Sequence, residues 1–379
     1  MCRIRLAKKN TTTIIIALAL FAACAPLIDK TPKSVERTPY PALRPTTQNV
    51  LAPSLLAEWK TGKIKDMGWS PSGKLFAINY SVDNSDGNNY VRAFSAESFN
   101  SLWVAKNSLA WDLIFTSDGQ FILESNITAP YFYWRSVEKG DIVRHIGYED
   151  VILDPGDCGG GQIIMENISH NTALIASYSD LIGLNTQNMV VINQLDLATR
   201  KCKNLLIYQG SFDLFDLNSS GNLLAYGGEG KNDSIIIWDM EKQAEVCRIP
   251  QVEFGRFIPD ENELAVVREQ KIFFIEASTC RELRELNISP LVDYENYLAF
   301  SPDGKQFAVA RDSIQIIDTV TGEVLAKMPF PQKAVPITSK LFLSGIKFSP
   351  DGHYLLVAYD LLELNSADDG EIQLWQLKP

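Results

Sequence analysis

Seven times along this 379-residue chain a turn of the type Ser-Pro-Asp-Gly, or a worn version of it, is followed at once by a short apolar strand. The clearest copies are Phe300-Ser301-Pro302-Asp303-Gly304-Lys305-Gln306-Phe307-Ala308-Val309-Ala310 and Phe348-Ser349-Pro350-Asp351-Gly352-His353-Tyr354-Leu355-Leu356-Val357-Ala358. Taking Gly304 as the marker, the equivalent positions are Gly73, Gly119, Asn171, Gly221, Glu261, Gly304 and Gly352, separated by 46, 52, 50, 40, 43 and 48 residues. A repeat carried through most of a chain constrains it more than any single residue, because no unit can bury its apolar face alone. The turn has a mechanism: proline presets φ, the Asp or Ser side chain bonds back to the backbone, and glycine accepts the positive φ that closes a short hairpin. Asn171 can adopt that conformation, whereas Glu261 fits it poorly although Asn262 follows.

The period suits a unit of four strands, with loop insertions in the longer copies. A second, acidic turn follows the third strand in Ile314-Gln315-Ile316-Ile317-Asp318-Thr319-Val320-Thr321-Gly322, Ile235-Ile236-Ile237-Trp238-Asp239-Met240 and Val190-Val191-Ile192-Asn193-Gln194-Leu195-Asp196. Branched and aromatic residues dominate these strands, as a pleated buried surface requires. From about Leu55 to its end the chain resembles the WD40-like β-propellers of bacteria. That resemblance implies an all-β, seven-bladed β-propeller of four-stranded antiparallel blades. The Gly-His dipeptide of standard WD40 repeats is absent and only one Trp-Asp pair, Trp238-Asp239, is present, so the family's His-centred hydrogen-bond network is not carried over. The last segment, Glu371–Leu377, reads as a third strand with no fourth after it, and a spare strand, Leu55–Lys60, precedes the first turn. The N-terminal strand is therefore expected to complete the last blade and close the ring.

The first 23 residues read differently. Arg3, Arg5, Lys8 and Lys9 precede an uncharged apolar run from Thr11 to Ala23, too short to span a bilayer comfortably, which marks a secretory signal peptide over 1–23. Small residues ahead of Cys24 in Leu20-Phe21-Ala22-Ala23-Cys24 make it resemble a bacterial lipoprotein signal, which implies lipid attachment at Cys24. Residues 24–53, with Pro26, Pro32, Pro39, Pro41 and Pro45, have too little apolar matter to fold and read as a disordered tether, leaving 54–379 for the propeller. Removal of the four basic residues of the signal takes the net charge from −11 to −15. So acidic a body disfavours nucleic acid and favours a basic partner or a cation.

No catalytic constellation stands out. His145, His170 and His353 lack metal-ligand spacing and read as surface residues; there is no Cys-x-x-Cys and no Gly-x-Ser-x-Gly elbow. Gly159-Gly160-Gly161 lacks the Lys-Ser or Lys-Thr of a phosphate loop, and Tyr131-Phe132-Tyr133-Trp134 alternates across a strand, so it is expected to pack between blades. No cofactor and no metal are expected, and solvated hairpin tips account for the acidic loops as well as calcium would. Cys158, Cys202, Cys247 and Cys280 remain after the signal segment. Cys158 is expected in a loop about 14 Å from Cys202, and Cys247 and Cys280 at the diverging outer edges of neighbouring blades, so buried free thiols are the expectation.

First turns and acidic turns are short and share one face. Long connections, Ser81–Asn89, Asp180–Asn188, Gly227–Asp233 and Leu361–Gly370, with the linkers Gly147–Gly161 and Pro331–Ser344, share the other. Variable loops on a rigid frame are where binding resides. The candidate binding residues on that face are Asp83, Asp86, Asp180, Glu229, Asp233, Asp368 and Asp369. The functional expectation is a monomeric, lipid-anchored, extracytoplasmic propeller of the cell envelope that binds a protein, peptide or glycan and is not an enzyme. The alternative is a hydrolase or lyase working at the mouth of the central channel.

Overall fold

In a computed structural model the described residues are 52–82, 89–107, 110–126, 132–146, 152–153, 164–169, 172–178, 189–209, 214–227, 234–269, 271–287, 298–310, 313–330, 341–361 and 370–377. They form strands and turns, arranged as seven separate sheets. Blade one is β2 (Lys63–Trp69), β3 (Leu75–Ser81), β4 (Asn89–Ser95) and β5 (Ser101–Asn107). Blade two is β6 (Ala110–Phe115), β7 (Phe121–Asn126), β8 (Phe132–Ser136) and β9 (Ile142–Ile146). Blade three is β11 (Ile164–Ser169), β12 (Thr172–Tyr178), β13 (Met189–Asp196) and β14 (Lys201–Gln209), with a short β10 (Ile152–Leu153) added parallel to the outer edge of β14. Blade four is β15 (Leu214–Leu217), β16 (Leu223–Gly227), β17 (Ser234–Asp239) and β18 (Ala244–Pro250). Blade five is β19 (Phe254–Phe257), β20 (Glu263–Arg268), β21 (Lys271–Glu276) and β22 (Arg281–Asn287). Blade six is β23 (Leu298–Phe300), β24 (Gln306–Ala310), β25 (Ile314–Asp318) and β26 (Val324–Met328).

Blade seven takes three strands from the end of the chain, β27 (Leu341–Phe348), β28 (Tyr354–Leu361) and β29 (Gly370–Gln376), and its outer strand from the beginning, β1 (Ser54–Thr61). β1 runs antiparallel to β29 with Glu58 opposite Gln373 and Trp59 opposite Ile372, so the expected closure is present. Trp59 also reaches blade one, its ring 4.8 Å from Phe94 and 5.5 Å from Phe76. At the same seam Phe76, Ile78 and Phe94 are buried in one cluster with Leu356, Ile372 and Leu374 of blade seven. The other seams are built alike: Ile235 and Ile237 of blade four pack with Phe254 and Val266 of blade five. The core therefore lies between blades rather than inside any of them.

The marker turns behave as their chemistry dictates. Gly73, Gly119, Gly221, Gly304 and Gly352 all have φ between +66° and +72°. The Ser301 hydroxyl donates to Asp303 at 2.7 Å and accepts the Gln306 N–H at 3.0 Å, and Ser349 repeats the pattern with Asp351 and Tyr354. In blade five the positive φ moves back one residue to Asp260, at +60°, which relieves Glu261 of a conformation it tolerates badly. The acidic turn is an Asx turn: Asp239 Oδ1 accepts the N–H groups of Glu241 and Lys242 at 3.0 and 2.8 Å, and Asp318 does the same for Val320 and Thr321.

The cysteine expectation is corrected. Cys247 on β18 and Cys280 ahead of β22 form a disulfide between blades four and five, with Cα atoms 6.1 Å apart. The expectation took both cysteines as members of outer strands, but Cys280 sits in the acidic turn of blade five, just before β22. Cys202 is disulfide-bonded as well, to a residue outside the described set. Of the Gly147–Gly161 linker only 152–153 are described, and Leu153 pairs with Cys202 along the outer edge of blade three. Cys158, and with it the expectation of its loop position, lies outside the described residues. Non-reducing peptide mapping is expected to recover a Cys247–Cys280 linked peptide and a second one joining Cys158 to Cys202. Alkylation of all four thiols without prior reduction would contradict both bonds.

Candidate functional site

The stems of the long acidic connections leave the ring on one face. Asp83 and Asp86 belong to the connection between β3 and β4, Asp180 to that between β12 and β13, Glu229 and Asp233 to that between β16 and β17, and Asp368 and Asp369 to that between β28 and β29. Each joins a second strand to a third, and antiparallel alternation puts all of these joins opposite the marker turns. The seven carboxylates, like Cys24 and the signal and tether segments, lie outside the described residues. Beneath the blade-seven connection the stem is polar: buried Glu371 accepts from half-exposed Lys60 at 2.5 Å and from Gln373 at 3.0 Å.

Two inner strands and the end of one second strand carry carboxylates that the sequence reading passed over. Asp66 on β2 accepts the Leu113 N–H of blade two at 2.8 Å and faces Lys347 of β27 at 3.9 Å. Asp216 on β15 accepts the Phe257 N–H of blade five at 2.7 Å, with Arg256 of β19 at 3.3 Å. Asp360 at the end of β28 accepts the Ile64 N–H of blade one at 2.9 Å. In all three the carboxylate reaches from one blade to an inner-strand N–H of the next blade in ring order. An inner strand has a free edge toward the channel, and these bonds satisfy donors on that edge. Desolvation pushes all three carboxyls up, and it outweighs the opposing pull of Lys347 and the Leu113 N–H on Asp66, of Arg256 and the Phe257 N–H on Asp216, and of the Ile64 N–H on Asp360. The signal for the first two was present in the sequence as an acid inside a short strand just before a marker turn.

Blade two holds a second buried pair, Glu124 on β7 with Arg135 on β8; burial raises the Glu124 carboxyl against the pull of Arg135. Arg135 also donates to the Gly140 carbonyl at 2.6 Å, so this pair ties the third strand to its own acidic turn. Phe132 and Trp134 are buried between blades, as the alternation requires. His145 and His353 are exposed, the latter 3.2 Å from Asp351, and His170 is outside the described residues. No group of three or more metal-ligating side chains occurs among the described residues. On the marker-turn face a polar cleft of about 650 Å³ lies between blades four and five, floored by Leu223 and Asn218.

No family model matches the chain, and no curated protein does. Among solved structures it is similar to the Cps50 (Swd1) β-propeller domain of Myceliophteria thermophila, with 11% identity and a TM-score of 0.60, over 86% of this chain and 100% of that one. At that identity the likeness is one of fold.

The Asp216 contact separates an acceptor role from a charge role. Asp216→Ala strands the Phe257 N–H and removes the carboxylate beside Arg256, and is expected to cost about 1–3 kcal/mol in urea melts at pH 7. Asp216→Asn keeps an acceptor oxygen and is expected to cost less than about 1 kcal/mol. Because burial raises the native carboxyl above its unfolded value, ionisation at this site opposes folding: wild-type stability falls as pH climbs from the ordinary carboxylate range through the raised native one. The Asn variant should lose that component. Equal destabilisation by Asn and Ala at every pH would contradict the assignment.

Proposed function

We propose that this β-propeller is a cell-envelope lipoprotein that binds a partner protein through the face bearing the long second-to-third-strand connections. The observation that carries the reading is the contrast between the two faces. Marker turns and acidic turns are short wherever they are described, whereas blades one, three, four and seven each carry a long acidic connection on the other side of the same rigid ring. Rigid scaffolds with one variable face are built for recognition. The Cys247–Cys280 disulfide supports an oxidising, extracytoplasmic location without reference to the N-terminal segment. Lipidation at Cys24 would hold the ring near a membrane, with residues 24–53 as the tether.

The channel does not favour the hydrolase or lyase alternative. Asp66 and Asp216 are engaged by backbone N–H groups of adjacent blades and by Lys347 and Arg256, so neither of these two described carboxylates is free for acid–base chemistry.

Two experiments on the full chain test the proposal. Metabolic labelling with palmitate is expected to mark the wild-type protein, and Cys24→Ala should lose the label and leave the membrane fraction. Crosslinking in intact cells followed by detergent extraction should capture one dominant protein. Its recovery should fall at least tenfold in a variant carrying Asp83→Asn, Asp86→Asn, Asp368→Asn and Asp369→Asn with unchanged melting. Undiminished capture by that variant would overturn the assignment of the face, and label persisting in Cys24→Ala would overturn the anchor.

A further inference from the structure

The marker turns do more than close hairpins, because they touch one another around the ring. A methyl group placed on Gly119, Gly352 or Gly73 would rest 3.7, 3.6 and 3.7 Å from the ring of Pro71, Pro302 or Pro350, the proline of the preceding blade's turn. One on Gly304 would collide with Ile258 and the Pro259 carbonyl. The Pro of one turn and the Gly of the next are therefore neighbours across a seam, loosely at Gly73, Gly119 and Gly352 and tightly at Gly304.

Between blades four and five both halves are missing, as they also are in the sequence between blades two and three, where Ser117 and Asn171 stand at these positions. Ser219 stands where the proline would be, Glu261 where the glycine would be, and the only turn-to-turn bond described there is Asp260 N–H to Ser219 Oγ at 3.1 Å. The cleft of about 650 Å³ opens at this seam. Its walls are the two marker turns and the two acidic turns, including Asp239 and Ser278. The Cys247–Cys280 disulfide begins two residues beyond Ser278 and ties the same two blades together, so the gap is held at its rim rather than free to close or widen.

The polar groups inside are unequally committed. Asn218 is saturated by Ser220, Asn222 and Leu223, Asn262 donates to Ser278 at 3.0 Å, and Asp239 is held by Lys242 at 2.6 Å. The Asp260 and Glu261 carboxylates are exposed and bond to no described side chain, which leaves the cleft with two unspent negative charges beside hydroxyl and carbonyl acceptors. No aromatic ring lines it, so it lacks the flat apolar platform on which a sugar would stack. We propose that the cleft between the marker turns of blades four and five docks an extended peptide segment through an arginine or lysine side chain, as a second contact surface independent of the loop face. A guanidinium or ammonium fits because it brings only donors to the Asp260 and Glu261 carboxylates, the Lys242 ammonium that also lines the cleft being paired with Asp239.

The test uses the full chain in detergent and a fluorescent heptapeptide of Gly and Ser with one central Arg, followed by anisotropy at low and physiological salt. Saturable binding is expected, with Asp260→Asn plus Glu261→Gln weakening it at least tenfold. Glu97→Gln plus Glu138→Gln, which removes the same charge from exposed acidic turns of blades one and two, should change it less than twofold. Ser219→Pro with Glu261→Gly restores the repeat at the seam and should also abolish binding while leaving melting at or above the wild-type value. Equal loss in both charge variants would reveal only the diffuse field of an acidic protein and overturn the site. Equal binding of the peptide with a central Glu, or saturable binding of a neutral oligosaccharide where the Arg peptide fails, would overturn the ligand class. None of these outcomes depends on the loop face, whose failure would be read in the crosslinking experiment.

Discussion

The rest of the structure depends on the pairing of β1 with β29. Each blade is a twisted sheet with two apolar faces, and only the neighbouring blades cover them. In an open row the first and last blades would each present one face to water. Around a ring that deficit vanishes, provided the two chain ends are fastened. Here the fastening is a full antiparallel ladder from Ser54 to Thr61, and Trp59 extends it sideways into the aromatic group of Phe76 and Phe94 on blade one. The same strand completes the sheet of blade seven and closes the seam between blades seven and one.

Packing between blades is non-directional, so something must fix their angles. Three kinds of contact do this. On the marker-turn face prolines neighbour glycines of the next blade. Toward the channel Asp66, Asp216 and Asp360 accept backbone N–H groups of the next blade. At the outer edge Trp103 donates to the Val137 carbonyl of blade two, and Arg144 to the Leu197 carbonyl of blade three. The seam between blades four and five lacks the proline–glycine contact and has the Cys247–Cys280 disulfide. A covalent bond there holds in register two blades whose turns no longer interlock, which keeps the cleft at that seam a fixed shape and ties the redox state of the compartment to the propeller.

Much of the fold could be read from residues alone because its determinants are local. The Ser-Pro-Asp-Gly turns, the branched third strands and the Asx turns each follow from neighbours within a few positions, and the unpaired strands at the two ends implied closure. Contacts between units were harder to see. Asp66 and Asp216 looked like stray acids because the N–H groups they accept lie in the following blade. Cys247 and Cys280 were judged too far apart from strand geometry, although Cys280 lies in the acidic turn before β22 and its α-carbon is 6.1 Å from that of Cys247. Glu261 was noticed as a misfit, but its consequence, a missing half of a seam, requires knowing that the glycines meet prolines across blades. Of the candidate site, the sequence located the long connections, and the described strands place their stems on one face; the cleft on the opposite face had no signal except Ser219 and Glu261, two of several positions where the repeat departs from itself.

Hydrogen exchange followed by mass spectrometry tests the closure most directly. If β1 latches the ring, amides of residues 54–61 should exchange as slowly as those of β29 and in step with them, and removing residues 1–61 should speed exchange in blades seven and one together. Exchange of residues 54–61 at the rate of an unstructured chain, with β29 still protected, would contradict the account.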